Sequence, residues 1–251
     1  MTTEPADGVC FVPDWPLPPG VRALQTTRAG GSSAGPWAGF NLGGHVGDDP
    51  AAVAANRAAL ARRLPAAPVW LAQVHGTAVA DIDGVAAGAP PPVADAAVAR
   101  RAGRVCAVMT ADCLPLLLCD RDGGVVAAAH AGWRGLCAGV IEATVAAMGV
   151  PAARLTVWLG PAIGPRAFEV GGEVRDAFLA HDAAAASAFV AGADGRWLAD
   201  LHALARQRLA AMGVRDVHGG GECTFGDAGR YFSYRRDGVC GRMATLIWRE
   251  H

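Results

Sequence analysis

The sequence predicts an α+β (mixed α/β) single domain, and three observations carry that prediction. The chain has 251 residues, of which 52% are hydrophobic and 18% charged, so it holds enough apolar surface to offset chain entropy and build a sizeable core. Short apolar runs of strand length alternate with stretches of helical periodicity, so strands and helices are interspersed along the chain. Hairpin-type turns such as Asp120-Arg121-Asp122-Gly123-Gly124 sit among them, which favours mixed sheets over a purely parallel doubly wound sheet.

Taken in order, residues 1–20 contain five prolines and read as an extended lead-in, with residues 21–251 as one catalytic domain. Val21 to Arg28 alternates as a strand, and the glycine-rich segment 29–49 reads as a long functional loop. Asp49 followed by Pro50 marks a helix start, with Val53, Leu60 and Leu64 as its apolar stripe. Strands are predicted at 69–74, 77–82, 104–109, 114–119 and 125–129, then a helix at 135–148 closed by Gly149. The remainder gives strands at 154–159, 214–218, 231–235 and 242–249, with helices near 171–181 and 198–212.

Charge and composition exclude several classes of partner. With 22 basic against 23 acidic residues the net charge is −1, which provides no field to steer the chain to nucleic acid or an anionic membrane. No apolar run reaches the roughly 18 residues of a membrane span. Every basic residue is Arg, so Schiff-base chemistry on a lysine is excluded. Seven irregularly spaced cysteines do not form a disulfide framework, and the N-terminus lacks the charged and apolar regions of a signal peptide. Cytoplasmic residence is the expectation.

The chemistry concentrates around the turn at 120–124. Cys113 and His130 are nearly symmetric about it, and directly opposed residues on antiparallel strands bring Cβ atoms to about 4.5–5.5 Å. A zinc ion can bridge such a pair, and His75, at the end of another predicted strand, supplies a third ligand while leaving a fourth position open. The same residues also read as a Cys–His nucleophile pair of the hydrolase kind, or as a buried thiol and a hydrogen-bonded core histidine. Asp112 beside Cys113 is a candidate either for proton transfer or for orienting a ligating histidine. Arg134, in the run Ala131-Gly132-Trp133-Arg134-Gly135, is a candidate anion contact at a helix start. His45, in the glycine-rich loop, is a weaker candidate for reaching the same point.

The segments TTRAGGSSAGPWAGFNLGGHVGDDPAAVAANRAAL (26–60), QVHG (73–76), TADCLPLLL (110–118), HAGWRG (130–135), GPAIGP (160–165) and FSYRRDGVCGRMATLIW (232–248) resemble the polyphenol oxidase (laccase) or YfiH family. That family is also called peptidoglycan editing factor or purine nucleoside phosphorylase. The resemblance implies one domain with a four-layer α/β/β/α arrangement of mixed sheets, carrying one zinc ion on His75, Cys113 and His130. It also implies phosphorolysis of adenosine, inosine and methylthioadenosine, together with adenosine deamination. Copper-dependent polyphenol oxidation and editing of peptidoglycan precursors are attached to the same family. Where many relatives have cysteine after GPAIGP, this chain has Arg166.

Among these reactions, a multicopper oxidase requires additional histidine-rich clusters, and seven scattered histidines offer nowhere to build a trinuclear centre, so copper ranks below zinc. The paired motifs of cytidine-type zinc deaminases are absent. Phosphorolysis needs an anion site beside the sugar. The reading assigns phosphate to Arg28 and Arg134, hydrogen bonds to the nucleoside to Asn41 and Gln73, and catalysis to Asp112 and Arg134. Trp133 and Phe40 are candidates for stacking on a base or for core packing. The expected partners are a purine nucleoside and phosphate, with the chain a monomer or homodimer. A zinc-stabilised module that binds without turnover is the non-enzymatic alternative.

Overall fold

In the computed structural model, which describes residues 8–250, the chain begins with the short strand β1 (Cys10–Phe11), paired antiparallel to β2 (Val21–Thr26). Residues 8–20 of the expected lead-in pack on the rest of the molecule: Trp15 is buried, and its indole N–H donates to Thr156 Oγ1 at 2.7 Å. Residues 1–7 of that lead-in lie outside the described residues. The loop that follows leads to α1 (Pro50–Ala61), where the Asp49 side chain accepts from the Ala51 N–H and Pro50 takes the first turn.

Two sheets form the centre. Strands β3 (Val79–Asp81), β4 (Ala96–Ala99), β6 (Leu114–Asp120), β7 (Val126–Ala131), β8 (Leu155–Leu159) and β12 (Asp216–Gly219) make a mixed six-stranded sheet in the order β12-β8-β6-β7-β4-β3. Strands β5 (Val105–Thr110) and β13 (Met243–Arg249) join β1 and β2 in a four-stranded sheet ordered β1-β2-β13-β5. A small sheet is made by β9 (Glu169–Val170), β10 (Phe189–Ala191) and β11 (Trp197–Ala199).

Side-chain alternation along these strands explains the layering. On β6, Leu114, Leu116 and Leu118 face one core with Leu136, Val140, Ile141, Phe178 and Leu204. These last come from α2 (Trp133–Ala138), α3 (Val140–Met148), α4 (Gly172–His181) and α5 (Leu201–Ala211). The alternate residues Leu117 and Cys119 face the four-stranded sheet through Ala23, Cys106, Val108 and Ile247. Val105, Ala107, Met109, Leu246 and Trp248 cover the far side with Leu60 of α1. The order is therefore helices, sheet, sheet, helix, the four layers implied by the family resemblance. Among the described residues, no helix is long and apolar enough to cross a membrane.

Three predicted elements differ. The segment 69–74 makes only isolated bridges, Val69 to Cys106 and Ala72 to Val93. The reason is Gln73, whose side-chain amide donates to the Met109 carbonyl (2.9 Å) and accepts from the Met109 N–H (2.8 Å), replacing the backbone partner a strand would have used. The helix expected at 135–148 starts at Trp133 and is divided at Gly139, whose φ of 101° no helix accommodates. The strand expected at 231–235 is instead the lead-in to a short helix, α6 (Tyr234–Asp237), because the Ser233 side chain caps the Arg236 N–H. Tyr231 and Phe232 are fully buried and so look like strand residues in the sequence.

Candidate metal centre

The alternation that builds the sandwich also aims the site. Leu114 pairs with Ala131 and Pro115 with His130, so Cys113 aligns with Gly132 and not directly with His130. The hairpin centre is offset by one residue from the expected position, and this shifts the partner by two. A shift of two preserves the face, so Cys113 and His130 remain diagonal neighbours at the rim of the space between the sheets. A shift of one partner would have put them on opposite sides.

His75 completes the cluster from the segment beyond Gln73, in a left-handed backbone conformation (φ 61°). Its Nε2 is 3.7 Å from Cys113 Sγ, its ring meets that of His130 edge-on at 4.8 Å between centroids, and the donor atoms of all three lie within 4.8 Å of one another. Zinc–sulfur and zinc–nitrogen bonds in a tetrahedral arrangement separate the two donors by about 3.6 Å. His75 is exposed, Cys113 half-buried and His130 buried, so the cluster is closed on its protein side and open on the other. Among the described residues it is the one group of three or more such side chains able to hold a metal ion.

The structure supplies a buttress that the sequence reading did not anticipate. Asp95 is fully buried, accepts from His130 Nδ1 at 2.8 Å, and accepts the backbone N–H groups of Val74, His75 and Gly76 at 2.7–3.1 Å. One carboxylate thus leaves Nε2 of His130 for a metal and folds the loop that carries His75. The orienting role considered for Asp112 belongs to Asp95. Its signal in the sequence is a lone acidic residue at the head of the apolar run Ala96-Ala97-Val98-Ala99.

The electrostatics agree with this geometry. Burial alone would raise the Asp95 carboxyl, but the hydrogen bonds from His130, Gly76 and Val74 bring it below the ordinary carboxylate range. Burial opposes the charged form of Cys113 as well, yet the charge of His130 and hydrogen bonds from both histidines lower the thiol to about 6. Burial would lower His130, and the Cys113 and Asp95 charges raise it to about 9. Without a metal, the corner is a thiolate–imidazolium pair. Metal binding needs that thiolate and a neutral imidazole.

The cluster opens on a cavity of about 430 Å³ whose other walls include His45, Gln73, Thr110, Asp112, Tyr234, Arg235 and Arg242. Burial, Arg242 and Arg57 lower the His45 pKa, so His45 faces the cavity as a neutral imidazole in a positive field. Asp112 has φ 86° and is buried; its carboxylate accepts from Thr224 Oγ1 and from the Arg235 N–H, both at 2.6 Å. It anchors the wall that carries Arg235.

Gln73 is the one proposed nucleoside contact that lines the cavity, and both ends of its amide are engaged by Met109. The other assignments fall elsewhere. Asn41 is fully buried and binds Asp48, Gly43 and the Arg242 N–H, so it fastens the glycine-rich loop to the end of β13. Arg28 lies over the Phe232 ring and donates to the Ala228 carbonyl. Arg134 is exposed and stacks on Trp133. Phe40 is buried in the outer core. Arg166 lines a different cavity beside Cys223. The arginines that do line the candidate site are Arg235, at the end of the segment 231–235 read as strand, and Arg242, at the head of the strand read at 242–249.

Gly132 explains how the three donors crowd together. A Cβ at that position would stand 2.8 Å from His75 Cδ2 and 2.9 Å from Cys113 Sγ, closer than carbon tolerates.

Comparison with known proteins agrees with this architecture. The chain is 59% identical over 241 residues to a protein of Pseudomonas aeruginosa named purine nucleoside phosphorylase, covering 95% of this chain and 97% of that one. It is 54% identical over 240 residues to the Escherichia coli protein named purine nucleoside phosphorylase YfiH, covering 95% and 98%. The crystal structure of the Neisseria meningitidis protein NMB0706 superposes with a TM-score of 0.93 at 49% identity, covering 97% of this chain and all of that one. YlmD from Geobacillus stearothermophilus superposes at 0.88 with 29% identity, covering 100% and 99%. The family described as multi-copper polyphenol oxidoreductase laccase matches residues 22–250, and this chain belongs to it.

Proposed function

We propose that the protein is a zinc-dependent purine nucleoside phosphorylase acting on adenosine, inosine and methylthioadenosine, with adenosine deamination as a second activity of the same cavity. The observation that carries the proposal is the His75, Cys113 and His130 cluster, braced by Asp95 and open on a cavity large enough for a nucleoside. The activity named for relatives at 54–59% identity supports the substrate class.

In phosphorolysis a phosphate oxygen attacks C1′ of the sugar, the bond from C1′ to the purine nitrogen breaks, and the purine leaves with its electron pair and then takes up a proton. His75, Cys113 and His130 would hold the metal, which supplies Lewis-acid charge at the cavity floor. Arg242 and Arg235 bring the fixed positive charge that phosphate needs, in place of the sequence-based choice of Arg28 and Arg134. His45, kept neutral by burial and its cationic neighbours, offers a hydrogen bond without competing for charge. Asp112 acts as a positioning residue, because it holds the backbone of Arg235. Tyr234 is 60% exposed at the cavity wall and offers a face on which a purine can stack. Zinc is preferred to copper because a multicopper oxidase requires further clusters, and none occurs among the described residues.

The test incubates the metal-assayed protein with adenosine, with and without phosphate, beside a Cys113→Ala control, and identifies products by mass spectrometry. Adenine and ribose 1-phosphate formed only with phosphate is the expected result, and inosine formed without phosphate supports the second activity. Neither product from a zinc-loaded chain overturns the proposal.

A further inference from the structure

From the structure we infer that Thr110 is a nucleoside-binding contact, its hydroxyl left free by the protein for a hydrogen bond to the substrate. The inference rests on the nucleoside reading above. Thr110 ends β5, where Cys106 and Val108 face the space between the two sheets; alternation places Thr110 on that same face, and it lines the cavity that holds His75, Cys113 and His130. It is 2% exposed, yet its Oγ1 has no hydrogen-bond partner.

This is out of character for the molecule. The other buried threonines among the described residues all use their hydroxyls within the protein: Thr26 with Ala244, Thr27 with Gly8, Thr144 with Val140, Thr156 with Trp15, Thr224 with Asp112 and Thr245 with Gln25. Among the described residues, the two other unpartnered buried atoms, on Glu142 and Arg175, belong to side chains that already make an ion pair through another atom and do not line this cavity. Thr110 has a single polar side-chain atom, so its bonding capacity is wholly unspent.

The position is also rigid. Thr110 pairs with Met243 in the ladder, and the adjacent Met109 backbone is clamped by the Gln73 amide. A buried hydroxyl on a strand is matched to a neutral donor or acceptor on the ligand, while the guanidinium groups of Arg235 and Arg242 suit the phosphate. A ligand lacking the matching group leaves a buried hydroxyl unpaired, which is how such a contact enforces selectivity.

Two variants of the full-length, metal-loaded chain test this. Thr110→Val keeps the shape and removes the hydroxyl, whereas Thr110→Ser keeps the hydroxyl. Thr110→Val is expected to raise KM for adenosine about 10-fold or more, with the phosphate KM and zinc content unchanged and the Tm not lowered. Thr110→Ser is expected to stay within about threefold of the parent. Parent-like kinetics in Thr110→Val, equal losses in both variants with a lowered Tm, or a change confined to the phosphate KM would each overturn the inference. Absence of nucleoside products from the unmodified chain would overturn the nucleoside reading itself, and this inference with it.

Discussion

The two sides of the cavity are built by different means. The metal corner is set by strand ends: Cys113 precedes β6, His130 is on β7, and Asp95 precedes β4 and pins the loop that carries His75, so three adjacent strands of one sheet set its geometry. The opposite wall stands on irregular chain, with Tyr234 and Arg235 on a single helical turn and Arg242 just before β13. The corner is held by a fully buried carboxylate making four hydrogen bonds, while the wall presents an exposed tyrosine. Rigid strand ends suit ligands whose positions must be held to fractions of an ångström. Loops and a short helix suit contacts that adapt to a bound nucleoside.

Substitutions on the two sides should therefore separate. The largest effect is expected for Cys113→Ala, which removes a donor: zinc content should fall toward zero and kcat by about 10³-fold or more, measured by metal analysis and product formation. Asp95→Asn should weaken zinc binding about 10–100-fold, because His130 loses its charged partner and the His75 loop its anchor. Competition with a chelator reads that change. Arg242→Ala, on the wall, should raise the phosphate KM about 10-fold with zinc content intact. Loss of zinc in that variant would erase the contrast between the two sides. Arg134→Ala should change Tm and kcat/KM least, since exposed positions commonly shift stability by only about 0.5 kcal/mol.

Acidity sharpens the same comparison. His130 without metal is raised to about 9, so its stabilising contribution is complete below the unfolded histidine value and is lost as pH rises through about 9. Cys113 is lowered to about 6, so its contribution is complete above the unfolded thiol value and is lost as pH falls through about 6. The two describe one shared interaction, and between those limits the loss at His130 and the gain at Cys113 run in opposite directions. Because these opposite changes offset each other, the Tm of the metal-free chain should stay nearly flat from about pH 6 to 9 and show no separate drop on the alkaline side. A zinc-loaded chain should instead lose Tm as pH falls, because protons compete with the metal for the thiolate and imidazoles, and a flat acid side would count against metal binding there.

The same division governs what could be read from the amino acids. The cluster able to hold a metal is legible because Cys113 and His130 flank a hairpin with clean alternation, and an offset of one residue at the turn centre leaves them on a common face. The alanine strand β4 carries little strand propensity, so nothing in the sequence marks Asp95 as the head of a strand. Tyr231 and Phe232 are buried for tertiary reasons and mimicked a strand, which concealed the capped turn carrying Tyr234 and Arg235. Arg28, Arg134 and Asn41 sit in motifs as prominent as the ligands' own. Proximity in a motif did not predict direction, and the packing against Phe232, Trp133 and Asp48 turned each to other tasks.

The missing side chain at Gly132 makes the donors vulnerable to a residue that never touches the ion. A single methyl group there would press on His75 and Cys113 together, so Gly132→Ala should silence the centre while every donor remains in the sequence. A survey of related chains that scores only the histidines and the cysteine would count such a variant as intact. The glycine must be scored with them, because the space it leaves is what lets the donors converge.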